Sequence, residues 1–278
     1  MTNSIALLTD FGIQDSYVGV MKGVMHGICP QAHFIDITHE LAPQNVRQAA
    51  FTLLNAYHYF PAGTVFLVVV DPGVGSLRLP IAVKSAGYTF VAPDNGVLTY
   101  ALAHLGAEIQ AVALTNAEYH LNTISRTFHG RDIFSPCAAH LAAGVPFEKM
   151  GESLDDIIRL DPPRLTLTER QIVGEIIHID HFGNCVSSIG QFRWRSDNRL
   201  LLASSWSDEV VQVSTKSATI KIGEQTFPKI SRTYSDVEKG DGLVLIGSEG
   251  YLEIATNHGN AADRYQIQLG DEIMLTLG

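Results

Sequence analysis

The run Val65-Phe66-Leu67-Val68-Val69-Val70, followed at once by Asp71-Pro72-Gly73-Val74-Gly75, restricts the fold more than any other stretch of the chain. Six apolar residues without alternation suit a strand covered on both faces, as in a parallel sheet flanked by helices. It is the longest continuous apolar run, far short of the ~20 residues that a membrane-spanning helix needs. The neighbouring signals agree with a layered domain. Ile5–Leu8 and Phe34–Ile37 read as strands, and Tyr17–Ile28 and Asn45–Tyr59 carry apolar residues at helical spacing. Further strands are expected at Ile81–Val83, Thr89–Val91 and Ile109–Leu114, with helices over Asn95–His104 and from His129 through Ala142. Strand–helix alternation of this kind predicts an α/β domain with a mostly parallel sheet.

Asp161-Pro162-Pro163 interrupts that pattern, and a Pro-Pro pair is a natural connector. Short β-type stretches follow at 172–179, 200–203, 210–213, 218–222, 243–246 and 273–277, separated by Gly and polar turns. The expectation is an N-terminal α/β domain over 1–163 and a smaller antiparallel β-barrel or sandwich over 164–278. A length of 278 residues gives each domain room for its own core.

Charge and cysteine usage narrow the partners. The formal balance is −10, from 29 acidic and 19 basic residues, so nucleic acid and anionic membranes are poor partners. A small cationic or zwitterionic ligand suits the chain better. Cys29, Cys137 and Cys185 are far apart and odd in number, which argues against disulfides or a cysteine zinc site. With no basic, apolar leader at the N-terminus, a cytoplasmic location is expected.

In α/β sheets ligands bind beyond the carboxyl ends of the strands. Asp10 in LLTDFG and Asp71 in VVVDPGVGS stand at two such ends, and either could serve merely as a turn or cap residue. Asp71 opens a glycine-rich loop that lets backbone approach a ligand, with Arg78 just beyond it. The loop lacks both GxGxxG spacing and a P-loop lysine, so a nucleotide-phosphate reading has little support. Thr127-Phe128-His129-Gly130-Arg131-Asp132 is a third point of interest, while His26, His33, His58, His104, His120 and His140 read as ordinary histidines. No HExxH-type spacing supports a metal site. In the second half, DHFGN at Asp180–Asn184, GSEGYL at Gly247–Leu252 and NHGNAA at Asn257–Ala262 are polar loops that simple hairpin turns would also explain.

Taken in order with PDNGVL at Pro93–Leu98 and TFHGRDIF at Thr127–Phe134, these segments resemble the S-adenosyl-L-methionine (SAM) hydroxide adenosyltransferases, hydrolytic relatives of the fluorinases and chlorinases. The resemblance implies attack of water or hydroxide on the ribose C5′ of SAM, releasing adenosine and L-methionine. It implies an Asp71–Arg78–His129 catalytic trio, with Asp10 on the ribose diol and Asp15, Ser16, Asp180 and Ser248 around the methionine amino and carboxylate groups. Asn184 would read adenine, with backbone near Ala262 completing the contact. Glu249 stands where the fluorinase has an Arg, so a salt bridge from that position to the methionine carboxylate is not available. The resemblance further implies a homotrimer with sites between one chain's N-terminal domain and a neighbour's C-terminal domain. It implies no cofactor, SAM being the substrate, and no metal.

Three other functions stay open at this level. An adenosyl halide synthase would share the fold, but an Asp/Arg/His cluster keeps the nucleophile site polar, whereas halide capture rewards a small dry pocket. The chain also runs from Arg78 to Ile81-Ala82-Val83 without the extra loop associated with halogenating members. A non-catalytic SAM or adenosine sensor would need neither Arg78 nor His129. A metal-dependent hydrolase is the remaining alternative.

Overall fold

A computed structural model describes residues 3–204, 206–207 and 209–277. The chain divides into two compact units between Leu160 and Asp161, just ahead of Pro162-Pro163.

In the first unit the elements are β1 (Ser4–Thr9), α1 (Tyr17–Ile28), β2 (His33–Thr38), α2 (Val46–Ala56), β3 (Val65–Val69), β4 (Pro80–Ser85), β5 (Tyr88–Pro93), α3 (Thr99–Leu105), β6 (Ile109–Ala113), α4 (Ser135–Ala142) and β7 (Ser153–Leu154). The sheet order is β2-β1-β3-β5-β4-β6-β7. Pairing is parallel from β2 through β5 and antiparallel beyond it, so β1, β2, β3, β5 and β6 share one direction. Every residue of β3 is buried, and the cause is visible on both faces. Val65, Leu67 and Val69 join Met21 and Met25 of α1 and Cys137, Ala138 and Ala139 of α4 in one core. On the opposite face Phe66 stacks on Phe90 at 5.2 Å, beside the edge-on pair Tyr57–Tyr88.

The helix expected over 95–104 starts only at Thr99. Asn95 is occupied elsewhere: its Nδ2 donates to Val70 O at 2.9 Å, and its Oδ1 accepts from Val97 N at 3.2 Å. Gly96 follows at φ +87°, and Leu160 fills the space where a Cβ would stand. PDNG is therefore a turn that latches the carboxyl end of β3, one residue before Asp71.

Among its described residues the second unit is mostly β, with one short α-helix and a 3₁₀ turn at Tyr234–Asp236. Its strands are β8 (Leu165–Leu167), β9 (Gln171–Ile179), β10 (Cys185–Ser187), β11 (Phe192–Ser196), β12 (Arg199–Ala203), β13 (Val210–Ser214), β14 (Thr219–Ile222), β15 (Gln225–Phe227), β16 (Gly242–Ile246), β17 (Leu252–Thr256) and β18 (Glu272–Thr276), with α5 (Ala261–Tyr265) between the last two. Neighbouring strands pair antiparallel along the path β15-β14-β18-β9-β10-β17-β16, which curls into a barrel-like wall, with β8 on β9 and a separate ribbon β11-β12-β13. Ile172, Ile176, Leu200, Ile220, Ile254 and Ile273 belong to its main core, and Leu243, Leu245 and Ala255 form a smaller cluster of their own. Among the described residues no helix is long and apolar enough to cross a membrane.

Candidate active site

Asp71 leaves the end of β3 and Arg78 returns to meet it through the glycine loop. Arg78 Nε donates to Asp71 Oδ1 at 2.9 Å and its Nη2 to Asp71 Oδ2, a two-pronged pair. The same Nη2 lies 2.9 Å from His129 Nδ1. A guanidinium can only donate, so His129 Nδ1 carries the lone pair and the neutral ring holds its proton on Nε2. The Asp71 and Arg78 side chains are 6% and 8% exposed, and Phe134 packs under the guanidinium at 5.2 Å. Burial, then the Arg78 charge, lowers the His129 pKa below its usual range, while Asp71, Asp132 and the Ser125 backbone oppose the shift.

His129 caps a five-residue π-helical turn, Gly130–Phe134, that runs into α4. Such turns are uncommon and gather at functional sites. Behind it the fully buried Asp132 accepts from Ser125 N at 2.7 Å and from Arg131, which fixes the loop ahead of His129. Gly75, at φ +76°, makes the close approach between the two strand-end loops possible: a Cβ there would stand 2.6 Å from Arg126 O.

Asp71 and His129 share the wall of a cavity of about 360 Å³ with Asp10, Gln44, Thr127 and three aromatic rings. That volume falls within the range of small-molecule sites. Asp10 Oδ2 accepts from Gln44 N at 2.7 Å, which orients the carboxylate. Phe11, Tyr17 and Phe128 meet pairwise with centroids 5.2–5.9 Å apart, forming an apolar side to a charged pocket. Asp15 and Ser16 stand just outside it, exposed at the start of α1, and the Ser16 side chain caps nothing.

The candidate residues of the second unit organise a separate region. Asp180 Oδ1 accepts from Phe182 N (2.8 Å) and Asn184 N (2.9 Å), and its Oδ2 accepts from Asn184 Nδ2 (2.8 Å). Asn184 lines a cavity of about 570 Å³ with Phe182, Tyr234, Thr256, Asn257, His258 and Gly259. The Ala262 N–H donates to Gly183 O at 3.0 Å, and the Ala262 carbonyl accepts from Ile267 N at 2.9 Å, so both backbone groups already have partners. Ser248 Oγ donates to Glu249 at 3.3 Å, so its hydroxyl too is partnered inside the loop.

Sequence reading passed over several residues here. Glu253 is buried on β17 and accepts from Tyr234 Oη at 2.8 Å. Burial pushes its pKa up, Asp180 adds to the rise and Tyr234 opposes it. A lone charge inside Tyr251-Leu252-Glu253-Ile254-Ala255 was the available signal. Gln44 gave none, and Phe11 and Tyr17, though within segments that carry the resemblance, were assigned no role, because loop packing rather than spacing brings the three together. Among the described residues no group of three or more His, Cys, Asp or Glu is arranged to hold a metal ion.

Comparison with known proteins identifies the family. Family models described as the SAM hydroxide adenosyltransferase N-terminal and C-terminal domains match residues 5–151 and 174–274. A (R)-S-adenosyl-L-methionine hydrolase of Salinispora tropica is 36% identical over 276 residues, covering 99% of this chain and 98% of its own. One from Thermus thermophilus is 33% identical over 280 residues, covering 98% of each. A fluorinase of Actinopolyspora mzabensis is 30% identical over 303 residues, covering 98% of this chain and 96% of its own. The crystal structure of an uncharacterized conserved protein from Thermotoga maritima superposes with a TM-score of 0.84 at 37% identity, covering 98% of this chain and 99% of that one. With both of its halves matched, the chain belongs to the SAM hydroxide adenosyltransferase family.

Proposed function

We propose that the chain hydrolyses S-adenosyl-L-methionine to adenosine and L-methionine. Water attacks the ribose C5′: the O–C5′ bond forms, the C5′–S bond breaks, and the sulfonium leaves as the neutral thioether of methionine. No acid is needed for that departure. The water must instead be aimed and relieved of one proton. The observation that carries this reading is the Arg78 guanidinium bridging Asp71 and His129 at the edge of one cavity that also holds Asp10.

In this reading Arg78 fixes the plane of the Asp71 carboxylate, leaving a lone pair on each oxygen, one of which orients the incoming water and accepts its proton. The neutral His129, its Nδ1 taken by Arg78, shapes the same spot. Positioning and proton acceptance of this kind are worth roughly 10²–10⁴-fold in rate. Asp10, with its Oδ2 held by Gln44, offers its Oδ1 to the paired ribose hydroxyls. Asp15, Ser16, Asp180 and Ser248 are assigned to the methionine end. Ser248 would have to exchange its bond to Glu249 for one to the carboxylate. Asn184, with support from the chain around Ala262, is assigned to adenine. No cofactor enters the scheme.

The same proposal includes a homotrimer with each site shared between subunits, and a cytoplasmic location. Two features support the shared site. The trio and Asp10 belong to the first unit, and the amide suited to a nucleobase belongs to the second, so neither holds a full binding set.

Incubation with SAM in ¹⁸O-water, without added metal, tests the reaction. Labelled adenosine and unlabelled methionine are expected. A 5′-halo-adenosine formed with chloride or fluoride would replace hydrolysis by halide transfer, and methylthioadenosine would mean that a different bond breaks.

A further inference from the structure

Thr256 ends β17 and is 6% exposed, and its Oγ1 is buried with no hydrogen-bond partner among the described residues. A buried hydroxyl left unpaired is unfavourable, and native proteins rarely keep one without a reason. Its surroundings supply the reason. Thr256 lies in the wall of the same cavity as Asn184. Strands β10 and β17 are antiparallel with Cys185 opposite Ile254. Asn184, one residue before that pair, and Thr256, two after it, therefore come to the same end of the two strands.

Both side chains are held in place. One Asn184 Nδ2 hydrogen goes to Asp180 Oδ2, which sets the amide and leaves its second N–H and its Oδ1 for a ligand. The Thr256 methyl rests against Gly259, where a Cβ would stand 2.7 Å from Cγ2. An adjacent donor and acceptor from an amide match the N6 amino group and a ring nitrogen of adenine. Adenine has further ring nitrogens that only accept, and a hydroxyl with no other partner can donate to one of them.

We infer that the Thr256 hydroxyl is a specificity-determining group for the purine, donating to a ring nitrogen that the Asn184 amide leaves uncovered. The inference rests on the proposed assignment of Asn184 to adenine. A purely structural threonine predicts something different, because replacing an unpaired hydroxyl by an isosteric methyl leaves stability equal or higher and binding untouched.

Thr256→Val and Thr256→Ser separate the two, read by calorimetric binding of adenosine and of free adenine, by KM and kcat for SAM, and by the unliganded thermal midpoint. In Thr256→Val, both dissociation constants and KM should rise about five- to tenfold, the size of one net hydrogen bond, with kcat within about twofold. Thr256→Ser should match the wild type, and the unliganded midpoint of Thr256→Val should not fall. Unchanged binding in Thr256→Val overturns the inference. So does a Thr256→Ser as weak as Thr256→Val, or a loss confined to adenosine and absent with adenine. Wild-type protein that binds adenine but does not turn over SAM would overturn the hydrolase reading and leave this one standing.

Discussion

The two candidate pockets are built on opposite principles. In the first unit Asp71, Arg78 and His129 satisfy one another before any ligand arrives, through hydrogen bonds of 2.9 Å, with the Asp71 and Arg78 side chains almost fully buried. In the second unit the pocket beside Asn184 keeps half an amide and a whole hydroxyl in reserve. On the proposed assignment the difference separates two tasks. Groups that aim a reagent benefit from being fixed in advance, because a reorganisation at the moment of reaction would raise the barrier. Groups that recognise a ligand must have bonds left to give.

The sharpest way to break this contrast is Arg78→Ala. It strands a buried carboxylate, so denaturant unfolding should show a loss of roughly 3–5 kcal/mol, and SAM turnover should fall by more than about 10²-fold. Full activity in this variant would mean that the trio is scaffold alone. Acid titration is next in size. Because His129 is held below the ordinary 6.5 by burial and Arg78, the acid limb of kcat/KM should be centred below that value. The unfolded chain binds the proton more readily, so this stabilisation is complete above 6.5 and disappears as pH falls through the lowered folded value. A limb centred at or above 6.5 contradicts the arrangement.

In the second unit, Glu253→Gln keeps an acceptor for Tyr234 and removes a buried charge. It should change stability by less than about 1 kcal/mol at neutral pH, a mild effect beside that of Arg78→Ala. A collapse of the fold would show that this side too depends on a fixed ion. The smallest expected effect concerns the thiols. Burial pushes Cys137 and Cys185 up to about 12, so neither should react with a maleimide in the native state within minutes at pH 7.

What the sequence disclosed followed local chemistry. Val65–Val70 announced a doubly covered strand, and α1 lies over the same residues as its apolar spacing. Asp71, Arg78 and His129 stood out because a glycine loop and a His-Gly turn mark the ends of regular elements. The late start of α3 was not legible, since Asn95 is diverted by a bond to Val70 O, 25 positions away. Strand β17 was missed because Glu253 interrupts its apolar pattern; pairing with β10 and β16 makes the segment a strand, and the Tyr234 hydroxyl supports the carboxylate. The pocket walls depended on loops from distant positions, about which periodicity says nothing.

Gly75 links the Asp71–Arg78 loop to the segment that carries His129 with almost no clearance. An alanine at that point would act as a shim, wedging the two loops apart by an amount that a hydrogen bond to His129 cannot absorb. The spacing of the proposed trio thus depends on a hydrogen atom at a position outside it, and a single methyl group there would disturb the arrangement while Asp71, Arg78 and His129 all stay in the sequence.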